Sequence, residues 1–229
     1  LTVNISILNQ YKSECREALD CIANLSKCFE KVFMDTMQLY MSIPDRINFL
    51  QLGRYGKFSE QTYRNNFEKD DFDWLSFNSH LASKILSGKR KAIAIDPSYI
   101  TKSGHKTPWI GYFWSGVSGS MKRGLELLGI GLVDADNKDC VALEAVQTPD
   151  TVTLDNLNKN LVEWYVAVLE SMKGKLQALT KNIVADAFFS KETFVTPMLN
   201  AGFTVISRLR NDSVLFYPTT KERTGKRRR

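Results

Sequence analysis

Two short apolar runs, each ending in an aspartate, constrain this chain more than anything else in it. Lys91-Ala-Ile-Ala-Ile-Asp96 runs into Pro97 and Ser98, and about ninety residues later Asn182-Ile-Val-Ala-Asp186 repeats the pattern. Apolar runs of this length, bounded by turn formers, read as buried strands. Two strands that each deliver a carboxylate at the C-terminal end predict a sheet holding two acids over one metal site. An Asp after a strand is also a common turn or helix cap, so either one alone leaves that reading open.

The 229 residues, 43% hydrophobic, suffice for one large domain or two small ones with a real core, which excludes the disordered and fibrous classes. No uncharged apolar run reaches membrane-spanning length, and the start lacks a signal-peptide pattern, so the expectation is an intracellular protein with no membrane partner. Cys15, Cys21, Cys28 and Cys140 show no Cys-x-x-Cys spacing. The first three recur at helical periods and are expected to be buried free thiols rather than zinc ligands or disulfides. Lys221 to Arg229 holds six basic residues and one acid, five of the chain's net +6 charges, leaving one for the other 220 residues. Such a tail, including Arg227 and Arg228, attracts phosphates in a salt-dependent way, whether or not it forms a defined site.

The first region, 1–88, reads as helical. Leu19, Ile22, Leu25, Phe29, Val32 and Phe33 mark one face of one or two helices, which Ser42-Ile-Pro-Asp45 ends. Pro44 or Asp45 opens a short segment around Ile47–Leu50, Gly53 and Gly56 bracket a turn, and Ser59 caps a helix with Tyr63 and Phe67 facing inward. Its outer face carries Gln61, Arg64 and Asn65, residue types that make two-pronged hydrogen bonds to bases. Helix, glycine turn and helix fit a helix-turn-helix reader, and they equally fit a helical domain with a polar surface. A further helix follows Asp73, and Ser87–Lys91 marks the boundary.

The second region, 89–215, alternates. After the Asp96 strand come a loop with Lys102, His105 and Lys106, a hairpin of Leu125–Val133 and Cys140–Val146, and one long helix capped by Thr153 and running to Met172. The Asp186 strand, a helix from Ser190 with Phe194, Val195, Met198 and Leu199 buried, a stop at Gly202 and a strand Phe203–Ser207 complete it. This order predicts a mixed sheet covered by helices, with the two Asp-bearing strands adjacent. Glu126 and Glu144 are expected to face outward.

Ala94-Ile-Asp96 with Lys102-Ser-Gly-His-Lys106, and Val184-Ala-Asp-Ala187, resemble the first and second acidic motifs of DDE transposases of bacterial insertion sequences. Arg46–Leu50, Arg54-Tyr-Gly56 and Glu60–Arg64 are similar to the N-terminal region of one branch of that group. The resemblance implies an α/β, RNase H-like mixed sheet with flanking helices behind a small all-α domain. It also implies metal-dependent DNA cleavage and strand transfer in the bacterial cytoplasm at the nucleoid. Asp96 and Asp186 would hold two Mg2+ or Mn2+ ions ~4 Å apart. The partner would be double-stranded DNA, transposon ends and target, held by a homodimer in a synaptic complex. Lys102 and Lys106 would touch the DNA backbone; His105 and His80 are not first choices as ligands.

The family's third acid, a Glu in a Tyr-x-x-Arg-x-x-x-Glu setting, has no counterpart here; Asp212 and Glu222 are the only acids after Ser207. The expectation is a chain that stops inside the insertion before that acid, with 216–229 as the insertion's start, one sheet face exposed and no cleavage by this polypeptide alone. A non-catalytic DNA-binding protein using the sheet as scaffold is the alternative, and a cellular nuclease of the same fold a third reading.

Overall fold

The computed structural model describes residues 5–69, 71–104 and 106–214. His105, Glu222, Arg227, Arg228 and the basic tail lie outside the described residues.

Five helices come first: α1 (Ile5–Asp20), α2 (Lys27–Ser42), α3 (Phe49–Tyr55), α4 (Glu60–Phe67) and α5 (Trp74–Ile85). Side-chain oxygens start four of them, Ser26, Asn48, Ser59 and Asp73 each accepting a backbone N–H of the first turn. Asn48 thus displaces the expected Pro44 or Asp45 as the start of α3. Gly53 lies inside α3 rather than at a turn: a Cβ there would sit 2.8 Å from the backbone nitrogen of Glu60, so its role is to let α3 approach α4. Cys15 is buried as expected, whereas Cys21 and Cys28 are exposed.

α5 joins the two regions. Its Phe77 packs with Phe33 and Phe72 in the helical core, while Leu75 and Ala82 enter the core of the sheet.

The sheet has six strands: β1 (Lys91–Thr101), β2 (Gly111–Ser115), β3 (Ser120–Asp134), β4 (Asp139–Gln147), β5 (Asn182–Ala185) and β6 (Thr204–Ser207). Its order is β2-β3-β1-β5-β6, with β4 also on β3. β1 runs antiparallel to β3 and parallel to β5, so the two Asp-bearing strands are neighbours, as the order of elements predicts. β2 is a strand the sequence did not reveal. β1 also continues five residues past Asp96, because β3 pairs with it from Lys91 through to Thr101. β5 leaves it sooner, at Ile95 opposite Ala185. Pro97 therefore sits where only β3 flanks the strand, a position a residue without an N–H tolerates.

The expected long helix is two, α6 (Thr151–Asn156), capped by Asp150 rather than Thr153, and α7 (Leu161–Ser171), and α8 (Lys173–Leu179) follows beyond its expected end. Asn158, at φ 49°, breaks the first, and Asn160 with Glu163 forms a capping box that starts the second. α9 (Glu192–Asn200) follows a 3-10 turn, Ala187–Phe189, and ends at Gly202, whose φ of +86° suits glycine. Phe194 and Met198 are buried as expected; Leu199 is 54% exposed.

The pleat assigns the sheet two unlike faces. Ile93, Ile95, Leu128, Ile130, Leu132 and Ile183 are buried with side chains of α5, α7, α8 and α9. The alternate residues Ala92, Ala94, Asp96 and Ser98 lie opposite Val133, Gly131, Gly129 and Leu127, with Val184 beside Ala94, and none of them is buried. Asp96 belongs to this open face.

Candidate active site

Asp96 is the first residue of β1 beyond the β5 pairing, and Asp186 is the first residue after β5. Adjacent parallel strands that end in register therefore bring the two carboxylates together. Burial first, and the negative charge of Asp186 second, hold the Asp96 carboxyl above its usual range. Like charges in reach of each other, with no ion pair to either among the described residues, form a site that favours a cation.

Asp186 also does the work of a cap. Its Oδ1 accepts the Phe188 N–H at 2.9 Å and so opens the 3-10 turn. Its carbonyl oxygen accepts the Ser207 hydroxyl at 2.8 Å, tying the end of β5 to β6. The cap role is present in this residue, and one carboxylate oxygen remains free of that bond.

Both aspartates line a cavity of about 760 Å3 that extends between β2, β3 and the α6–α7 junction. Glu126 lines it too. Contrary to expectation it does not face outward: it shares the buried face with Leu128 and Ile130, is 6% exposed, and accepts the Tyr165 hydroxyl at 2.5 Å. Burial, then the Glu126 charge, push the Tyr165 hydroxyl far above its usual range. The sequence hid this because Leu125-Glu-Leu-Leu places apolar residues on both phases of the strand. Glu144 is half-buried, and its carboxyl is raised mainly by burial.

Lys102 and Lys106 are exposed and do not line this cavity. The extension of β1 carries their loop about 17 Å past Asp96 at a strand's ~3.3 Å rise. Arg123 holds that loop, donating to the carbonyl of Gly104 at 3.2 Å. Lys159 and Asn160 are cavity residues that the sequence reading missed, and Lys191 stands 3.9 Å from the Phe188 ring centroid. On α4, Gln61, Arg64 and Asn65 are exposed as expected but already paired: Gln61 donates to Asn65 at 2.7 Å, and Arg64 binds Glu60 while lying over the Phe49 ring. Phe67, expected inside, is 49% exposed and meets Phe49 edge-on.

Two facing carboxylates are hard oxygen donors, the type that suits Mg2+ or Mn2+ rather than zinc. Among the described residues, no group of three or more His, Cys, Asp or Glu side chains is arranged to hold a metal. Asp96 and Asp186 are the donors that would suit such an ion here.

No curated protein matches the chain. A family model described as DDE superfamily endonuclease matches residues 39–229, which takes in α3 to α5, the whole sheet and both aspartates. The mixed sheet and its flanking helices agree with an RNase H-like DDE domain, and the chain belongs to the DDE superfamily endonuclease family.

Proposed function

We propose that this chain is the core of a DNA transposase of the bacterial insertion-sequence type, acting on transposon ends and target DNA as a homodimer. The observation that carries this reading is the convergence of Asp96 and Asp186 at the ends of adjacent parallel strands in a sheet of that family. The two carboxylates would hold Mg2+ or Mn2+, and the bound ions would activate the attacking oxygen and stabilise the leaving one. Asp186 is held by Phe188 and Ser207; the open face beside Asp96 leaves a duplex free approach. Regions 1–88 and 89–215 then act as DNA-binding and catalytic domains, with Gln61, Arg64 and Asn65 turning from their intrahelical partners to DNA.

Among the described residues no third acid joins Asp96 and Asp186 in a group arranged to hold a metal, and Asp212 is ion-paired with Arg210 and exposed. Binding without cleavage is therefore expected of this polypeptide. The same observation favours the second reading, a DNA-binding protein without catalysis.

A plasmid-nicking assay with Mn2+, beside calorimetric titration of Mn2+, tests the proposal. Metal binding lost in Asp96→Asn and Asp186→Asn, with no nicking, is expected. Nicking abolished by Asp96→Ala would overturn the two-acid account. Absence of metal binding in the native chain would leave the non-catalytic reading.

A further inference from the structure

The cavity beside the aspartates has walls and a floor of different chemistry. Tyr112, Trp114 and Met121 of the β2–β3 hairpin line it although they are 65%, 59% and 55% exposed, and Phe188 is a further wall residue, two positions after Asp186. Large apolar side chains left open together mark a binding surface. Ring faces in particular accept nucleobases by stacking. The floor carries the buried Glu126. One of its oxygens accepts the Tyr165 hydroxyl; among the described residues the other accepts no hydrogen bond and no cation pairs with the group. A carboxylate on the lining of a cavity can only accept hydrogen bonds there. A ligand that matches both wall and floor brings N–H donors on a flat, apolar body.

We propose that this cavity receives one unstacked nucleobase bearing an exocyclic amine, cytosine foremost. Its ring stacks on the Tyr112–Trp114 wall, and its amine donates to Glu126. Carboxylates accept from the cytosine amine, whereas uracil and thymine present a carbonyl oxygen at the same position, which meets the carboxylate acceptor to acceptor and leaves only the ring N3–H beside it to donate. This deepens the reading of DNA as substrate and rests on it. The cavity's volume falls within the ~300–1,000 Å3 of small-molecule sites and is ample for one base. Its continuity with Asp96 and Asp186 places such a base next to the phosphodiester that the carboxylates would serve.

The test is fluorescence anisotropy at pH 8 with short labelled oligo-dC and oligo-dU, which differ at the C4 substituent and the N3 proton, alongside a duplex of mixed sequence. The native chain is expected to bind oligo-dC about 5- to 100-fold more tightly than oligo-dU, the range of one good base contact. Glu126→Gln should bring that ratio close to one. Trp114→Ala, at an exposed position where folding is not at stake, should weaken both oligonucleotides by about 5- to 100-fold. Equal binding of the two by the native chain, or a ratio unchanged in Glu126→Gln, would overturn the proposal. So would loss of Mn2+ binding in Glu126→Gln to the degree seen in Asp96→Asn, which would make Glu126 a metal ligand. Duplex binding without a cytosine preference sinks the base pocket alone; no binding of any DNA sinks the reading of the substrate with it.

Discussion

Asp35 on α2 and Glu126 on β3 are each 6% exposed, and each accepts a hydrogen bond from a fully buried tyrosine, Tyr63 and Tyr165 respectively. Their surroundings separate them. Asp35 takes a second donor, the Lys57 N–H at 3.0 Å, through the same oxygen that binds Tyr63. Gly56 seals the site, since a Cβ there would fall 1.9 Å from the Tyr63 hydroxyl oxygen. Burial first, and Asp35 second, push the Tyr63 hydroxyl up to about 12, so it stays a donor across the working range of pH. The groove beside Asp35 is lined by both signs of charge, Arg16, Asp20, Glu30 and Lys31. Glu126 has one donor and borders a cavity walled by open aromatic rings. The same residue pair thus serves as a strut between α2 and α4, and as an unfinished site in the sheet. Counting donors tells the two apart.

The largest effect should come from breaking the strut. Asp35→Ala leaves the Tyr63 hydroxyl and the Lys57 N–H without partners, each costing about 1–3 kcal/mol. Thermal unfolding should show a Tm lower by about 5–15 °C for a chain of this size. Glu126→Ala orphans one hydroxyl and also removes an under-satisfied carboxylate, so its Tm should fall by less than about 4 °C. Equal losses in the two variants would make Glu126 a strut as well and erase the distinction.

Metal should act on the sheet site and not on the strut. Mn2+ at about ten times its Kd contributes about 1.4 kcal/mol, or a Tm rise of about 3–5 °C. Asp35→Ala should keep that increment, while Asp96→Asn and Asp186→Asn should lose it. An increment that disappears with Asp35 would join the two regions into one site.

The adjacency of Asp96 and Asp186 was legible because each closes an uninterrupted apolar run, and the order of elements then made their strands neighbours. Ser59, Asp73 and Gly202 were legible for a similar reason, since caps act within one turn of chain. What escaped depends on partners distant in sequence. The reach of β1 to Thr101 is set by β3, and nothing in Pro97–Thr101 itself announces a strand. Gly53 reads as a turn residue until the Glu60 backbone is seen against it. The break in the long helix was written locally, as Asn160-x-x-Glu163, but the apolar stripe from Leu154 to Met172 outweighed it. Glu126 escaped because a charged residue between leucines is assigned to solvent by composition, and only the register of β3 turns it inward.

The smallest effect is the sharpest test of how the aspartate pair differs from the two-donor Asp35. The Asp96 carboxyl is held above its usual range by burial and by Asp186, so the folded chain binds that proton more tightly than the unfolded chain does. Its contribution to stability is present at low pH, and it is lost as pH rises from the ordinary value of about 3.9 through the raised one. Asp96→Asn removes the charge and hence the loss. Without metal, its Tm should therefore exceed the native one at pH 7 by about 1–2 °C, the scale of exposed charge interactions, and the gap should close as pH falls toward about 4. With Mn2+ at pH 7 the sign should reverse, because the native chain gains from the ion and the variant does not. A variant that is less stable than the native chain without metal would mean that Asp96 already has a favourable partner, and the pair would then be a structural feature like Asp35 rather than a site awaiting a cation.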